Sequence, residues 1–165
     1  MTVLTLTRSV SGVNPWIQDS VEIFVNPGNT KAGTYGPDDA QLRINVDNQV
    51  SFGTGDEAAQ AARLTSATTR VAGGYVVEAA IGLAGQGGLG TLQGLDFQVN
   101  DATAGARTAV RTWADTTGTG YLSTARWGVG RLVKVWVITS PTRLGPPPCW
   151  HRRRSPATTS NRARR

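Results

Sequence analysis

The sequence is poor in the residues that most often carry catalysis or cross-links, with one cysteine and one histidine among 165 residues. Both lie near the C-terminal end, at Cys149 and His151. The rest of the chain therefore offers no disulfide framework and no histidine for a serine–histidine–aspartate triad. No apolar run approaches the roughly 20 residues that a membrane-spanning helix needs. Residues 1–7 have neither the charged start nor the apolar core of a secretion signal.

Acidic residues are absent from the C-terminal fifth of the chain. Residues 1–132 hold nine Lys/Arg and all eleven Asp/Glu, a balance of −2, whereas residues 133–165 hold the other eight Lys/Arg and five of the eight prolines. Such a segment cannot build a core. We therefore predict a domain over 1–132 and a basic tail over 133–165 that is disordered or results from a shifted reading frame. The alternative is a cationic arm that binds nucleic acid.

Short alternating runs, separated by turns rich in glycine, proline and aspartate, predict an all-β domain. About 130 residues suffice for one domain with its own core. The stretch over 56–63 is rich in alanine and is therefore also compatible with a short helix. The expected fold is an antiparallel β-sandwich. Its strands are predicted near 3–7, 20–25, 41–47, 64–70, 74–81, 94–100, 107–113 and 127–132.

A carboxylate lies in the middle of one apolar strand. In the segment 20–25, Glu22 shares a face with Ser20 and Phe24 on a two-residue period. A buried, unpaired carboxylate is costly, so Glu22 either faces water or meets buried partners. The segment 41–46 alternates strictly, with Arg43 on its polar face.

Five blocks of the sequence stand out, namely WIQDSVEIFV (16–25), YGPDDAQLRIN (35–45), GYVVEAAI (74–81), DFQVNDA (96–102) and RWG (126–128). In the same order, these blocks resemble the family 9 carbohydrate-binding modules of bacterial xylanases. The resemblance implies a β-sandwich whose early strands would precede Val3, and an extracellular, non-catalytic protein. It also implies binding to xylan, to cellulose chain ends and to their oligosaccharides, with a covalently linked glycoside hydrolase such as an endo-1,4-β-xylanase.

The resemblance also assigns a sugar site by motif position. Sugars present apolar C–H faces that lie against aromatic rings, and hydroxyl groups that need donors and acceptors. Trp16 and Trp127 are the candidates for two rings that sandwich a terminal sugar, while Glu22, Arg43 and Asn45 are the candidates for hydroxyl binding. Taken singly, each tryptophan is also compatible with a core position.

The family carries structural calcium, so the resemblance implies calcium as a possible cofactor without assigning its ligands. Calcium prefers six to eight oxygen ligands. The candidates are Asp38 with Asp39, or a group made of Asp96, Asn100, Asp101 and Asp115. Solvated loop carboxylates are the alternative.

Two enzymatic interpretations compete with binding. Glu22 and Glu78 form a conceivable glycosidase pair. The stretch Gly85–Gly90 fits the glycine pattern of dinucleotide-binding loops, but the following residues predict a strand where that motif needs a helix. We expect no membrane partner and do not favour nucleic acid as a ligand.

Overall fold

The computed structural model describes residues 15–134. The predicted strand at 3–7 and nearly all of the basic tail lie outside the described residues. One helix, α1 (Glu57–Ala62), and two short 3₁₀ turns, Pro15–Ile17 and Pro27–Asn29, accompany the strands. The strands are β1 (Ser20–Asn26), β2 (Ala40–Asn45), β3 (Val50–Phe52), β4 (Leu64–Val71), β5 (Gly74–Ile81), β6 (Leu92–Thr103), β7 (Ala106–Thr112) and β8 (Gly128–Arg131).

The strands form two antiparallel sheets, which confirms the predicted all-β class. The main sheet has the order β3-β2-β1-β6-β7, and β8 pairs with the first part of β6. Strands β4 and β5 form the second sheet. The alanine-rich stretch is helical, and its first turn is capped by the Asp56 side chain, which accepts a hydrogen bond from the Ala59 amide. Strand β3 was not predicted because three residues are too few to show an alternating pattern.

One face of the main sheet forms the core between the sheets. Leu64, Val77 and Ile81 of the second sheet pack against this face. Full burial of a large aliphatic side chain contributes about 1.5–3 kcal/mol. No helix among residues 15–134 is long and apolar enough to cross a membrane. The buried residues of the core face are Ile23, Val25, Ala40, Leu42 and Ile44.

The opposite face of the main sheet is polar and largely buried. Glu22 lies on β1, between β2 and β6, and is only 2% exposed. The alternative of a solvent-facing glutamate on an edge strand is therefore wrong. The polar residues that share this face come from three adjacent strands. They are Ser20, Glu22, Gln41, Arg43, Asn45, Asp96, Gln98 and Asn100.

Asp96 anchors the long loop between β7 and β8. Its carboxylate is buried and accepts hydrogen bonds from the backbone amides of Phe97 (2.8 Å), Ala114 (2.9 Å) and Asp115 (2.8 Å). Two of these amides belong to the loop. A single side chain of the sheet thereby sets where the loop begins.

Asp115 shapes the next turn of this loop. Its Oδ1 accepts hydrogen bonds from the amide and the hydroxyl of Thr117, and its Oδ2 accepts one from the Thr119 hydroxyl. Burial acts to raise the pKa of Asp115, but these hydrogen bonds outweigh it and hold the pKa below the usual value of an aspartate. Because the folded-state pKa is lowered, the contribution to stability is present above the ordinary carboxyl pKa and is lost as the pH falls through the lowered value.

The Asp96→Asn variant should lose stability, because an amide replaces one acceptor oxygen with a donor and leaves a buried backbone N–H without a partner. The expected loss is about 1–3 kcal/mol in the free energy of unfolding, measured by urea denaturation. Asp38→Asn is the control, since Asp38 is an exposed loop carboxylate. Equal stability of the two variants would contradict the anchoring role of Asp96.

Candidate functional site

A cavity of about 450 Å³ opens on the polar face of the main sheet. Its floor comes from β1, β2, β6 and β7, and its walls come from the N-terminal 3₁₀ turn and from the loop that Asp96 anchors. Its volume falls in the range of small-ligand sites, about 300–1,000 Å³. The residues that line it are Trp16, Glu22, Gln41, Arg43, Gln98, Arg107, Val110, Gly118 and Tyr121.

Glu22 is the centre of the hydrogen-bond network in the floor. Its Oε2 accepts from Gln41 Nε2 (2.7 Å) and Arg43 Nε (3.3 Å). Its Oε1 accepts from Gln98 Nε2 (3.0 Å) and Asn100 Nδ2 (2.9 Å). A carboxylate has about four lone-pair positions, so these donors occupy all of them. Glu22 therefore orients the donors of the floor.

Strand register explains why these groups meet. Glu22 lies directly opposite Arg43 on β2 and directly opposite Gln98 on β6. Side chains at such positions are about 4.5–5.5 Å apart at Cβ. Gln41 and Asn100 are the diagonal neighbours on the same face. A shift by one residue would turn the whole set to the other face.

Arg43 connects the floor to one wall. Its guanidinium carbon lies 5.1 Å from the centre of the Trp16 ring, within the range of a cation–π contact. Its side chain is 12% exposed. Among residues 15–134, the Nε bond to Glu22 is the only hydrogen bond that the side chain of Arg43 donates. The terminal nitrogens are thus left for a ligand.

Two exposed aromatic rings line the cavity. Trp16 is 37% exposed on the 3₁₀ turn, and Tyr121 is 53% exposed on the loop that Asp96 anchors. Rings on two separate segments, beside a floor of amide and guanidinium donors, suit a ligand with apolar faces and hydroxyl edges.

A family model described as carbohydrate family 9 binding domain-like matches residues 5–135. The chain belongs to this family. Its resemblance to the family is thereby confirmed, and the sandwich fold is that of the family.

The module is similar to parts of larger enzymes and to solved binding modules. It is 45% identical over 123 residues to endo-1,4-beta-xylanase A of Thermotoga neapolitana, which covers 73% of this chain and 11% of the xylanase. The chain thus spans about a tenth of the length of such relatives. A family 9 module from Caldicellulosiruptor kristjanssonii, solved with glucose, is 31% identical with a TM-score of 0.73, covering 84% of this chain and 71% of that one. A family 9 module from the same organism, solved with cellotriose, is 30% identical with a TM-score of 0.72, covering 87% of this chain and 71% of that one.

The assignment of Trp127 to the sugar site is wrong, because its side chain is buried. Trp127 is 1% exposed and packs against Phe24 and Tyr35, with ring centres 5.4 and 5.3 Å away. Its Nε1 donates to the Gly120 carbonyl at 3.1 Å. The ring therefore supports the loop from below, next to Tyr121, and offers no face to a ligand.

The assignment of Asn45 is also wrong, since its polar atoms are used within the protein. Asn45 is 3% exposed and does not line the cavity. Its Nδ2 donates to Gln18 Oε1 (2.7 Å) and Gln49 Oε1 (2.8 Å). Its Oδ1 accepts from the amides of Asp47 (3.0 Å) and Gln49 (2.8 Å). Asn45 closes the turn between β2 and β3.

Sequence reasoning missed several residues of the cavity. Gln41 shares a face with Arg43 in the alternating segment, and that pattern was sufficient to find it. Tyr121 follows a glycine-rich turn, which is a weaker signal for an exposed ring. Gln98 meets Glu22, and Arg107 meets Asn100, only through strand pairing, which a single sequence does not reveal.

The other enzymatic interpretations find no support in the geometry. Glu78 is exposed on β5 of the second sheet, and its neighbour Val77 is the residue that packs on the core. The proposed pair of Glu22 and Glu78 is therefore wrong, because the core separates the two. The stretch Gly85–Gly90 leads into strand β6 and not into a helix.

Two of the carboxylates considered for calcium, Asp39 and Asp96, are engaged by N–H groups. Asp39 accepts from Asn26 Nδ2 (2.6 Å) and from the Gly36 amide (2.7 Å), and Asp96 accepts from three backbone amides. A cation at these oxygens would have to displace those donors, so the arrangement does not fit calcium there. Among residues 15–134, no three His, Cys, Asp or Glu side chains are grouped to hold a metal ion. Calcium binding stays a prediction.

The Trp127→Ala variant should lose stability, because it removes a buried ring that contacts Phe24 and Tyr35. The expected loss is about 3–5 kcal/mol in the free energy of unfolding, measured by urea denaturation. Trp113→Ala is the matched control, since Trp113 is 54% exposed, and it should lose clearly less. A Trp127→Ala protein of wild-type stability that no longer binds sugar would restore the original assignment.

Proposed function

We propose that this module binds the ends of cellulose or xylan chains, and their soluble oligosaccharides, without cleaving them. The observation that carries the proposal is the pair of exposed rings, Trp16 and Tyr121, on either side of a floor organised by Glu22. The family match and the sugar complexes of the structural neighbours support a carbohydrate as the ligand.

The chemistry of the cavity favours binding over hydrolysis. Glycosidases position two carboxyl groups at the scissile bond. Glu22 is the carboxylate in the cavity lining, and four donors fix it. The remaining polar groups of the floor are amides and guanidinium groups, which bind hydroxyls and do not exchange protons at neutral pH.

The relatives suggest how the binding is used. Because the matched region is about a tenth of a xylanase, we propose that the module is linked to a glycoside hydrolase and keeps that enzyme at plant cell-wall polysaccharide. Such polymers are too large to enter cells, so this role places the module outside the cell.

Removal of either exposed ring should weaken sugar binding. Trp16→Ala and Tyr121→Ala should each lower the affinity for cellotriose about tenfold, because stacking contributes about 0.5–1.5 kcal/mol beyond the area it buries. Isothermal titration calorimetry measures the effect. Trp113→Ala is the control, since its ring packs on Phe97 on the opposite face of the sheet. Wild-type affinity in both cavity variants would refute the proposed site.

Arg43→Gln should also weaken binding, because the terminal nitrogens of Arg43 are the charged donors beside Trp16. The expected loss is about 1.5–3 kcal/mol in binding free energy. The affinity of wild-type protein for neutral cellotriose should stay nearly constant as NaCl is raised, because no net charge is neutralised. Release of reducing sugar from xylan by the purified chain would refute the non-catalytic function.

A further inference from the structure

Arg107 reaches the cavity through an irregularity in the pairing of β6 with β7. Asp101 lies opposite Ala109, but the next pair is Ala102 with Arg107, so Thr108 has no partner. Thr108 instead donates its hydroxyl hydrogen to the Asp101 carbonyl at 3.2 Å. Without this bulge, alternation from Val110 would turn Arg107 to the other face. Bulges of this kind re-aim side chains near functional sites.

The guanidinium group of Arg107 has only a neutral partner in the floor. Its Nη1 lies 3.3 Å from Asn100 Oδ1, which already accepts from Gln98 Nε2 at 2.8 Å. Arg107 is exposed. In the described part of the chain, ion pairs join Arg43 to Glu22 and Arg70 to Asp47, and neither includes Arg107.

The charges of the cavity therefore do not cancel. The lining includes Arg43, Arg107 and one carboxylate, Glu22. Arg43 and Glu22 balance each other at 3.3 Å. The positive charge of Arg107 has no counter-charge in the lining, and it lies at the edge of a floor whose other groups are neutral amides and the Arg43–Glu22 pair. Five N–H donors in a planar fork match the two oxygens of a carboxylate.

We propose that the cavity accepts a sugar that carries a carboxylate, such as a uronic acid unit, with Arg107 binding the carboxylate. Trp16 and Tyr121 hold the ring of this sugar, and the Glu22 network meets its hydroxyls. The inference rests on the proposed sugar-binding function and names a preferred class of ligand for the same cavity.

The test compares sugars that share a glucose ring and differ in the group at carbon 6, by isothermal titration calorimetry at low and high NaCl. The ligands are glucose, glucuronate and glucose 6-phosphate. Wild-type protein should bind glucuronate about three- to tenfold more tightly than glucose at low salt. High salt should reduce this ratio, because ions screen a partly exposed charge pair. Arg107→Gln should bring the ratio close to one, and Arg107→Lys should keep part of it.

Arg111→Gln is the matched control. Arg111 lies on the same strand, carries the same charge and pairs with Val99 on the opposite face of the sheet. This variant should keep the wild-type ratio of affinities. An equal fall of the ratio in both variants would overturn the inference, because it would reflect the overall charge of the protein.

The two proposals fail in different ways. Absence of binding to glucose and cellotriose would refute the sugar-binding function itself. Binding of glucose with an equal or weaker affinity for glucuronate would overturn only the inference on Arg107. A higher affinity than for glucose that is seen only with glucose 6-phosphate would also overturn it, because Arg107 would then bind a phosphate and not a carboxylate.

Discussion

Glu22 imposes the strictest constraint on this structure, because it places a carboxylate with 2% exposure in the middle of a sheet. An unpaired charge there would cost several kcal/mol. The fold meets this cost with four donors from β2 and β6, at 2.7–3.3 Å. These donors lie where they do only in one strand register. Because the buried Glu22 carboxylate needs these hydrogen bonds, it also fixes the positions of the side chains that form the floor of the cavity.

The two faces of the main sheet have separate tasks. The apolar face packs against β4 and β5 and supplies the burial that stabilises the domain. The polar face is stabilised by side-chain hydrogen bonds and carries the cavity. Asp96 and Trp127 link the polar face to the loop that crosses it. Asp96 accepts hydrogen bonds from backbone amides of the loop, and the Trp127 ring packs beneath the loop and donates a hydrogen bond to it. They bring Tyr121 to the cavity without touching a ligand.

Sequence reasoning succeeded where local periodicity carries the information. Alternation around Glu22 and Arg43 separated core residues from polar ones, and the structure places Trp16, Glu22 and Arg43, which were matched by motif, in one cavity. Sequence reasoning failed for Trp127 and Asn45, because their roles depend on tertiary contacts with other segments and with neighbouring turns. A buried tryptophan and an exposed one look alike in sequence. The placement of Arg107 depends on a bulge, which appears only when two distant segments pair.

The most direct test of this account is the affinity of the Glu22→Gln variant for cellotriose, measured by calorimetry under conditions where the variant is folded. The substitution keeps the shape of the side chain but replaces one acceptor oxygen with an NH2 donor. This NH2 group would then face the N–H donors that surround Glu22 in the floor. We expect a loss of about 1.5–3 kcal/mol in binding free energy, roughly tenfold or more in affinity. Wild-type affinity in this variant would contradict the claim that Glu22 organises the site.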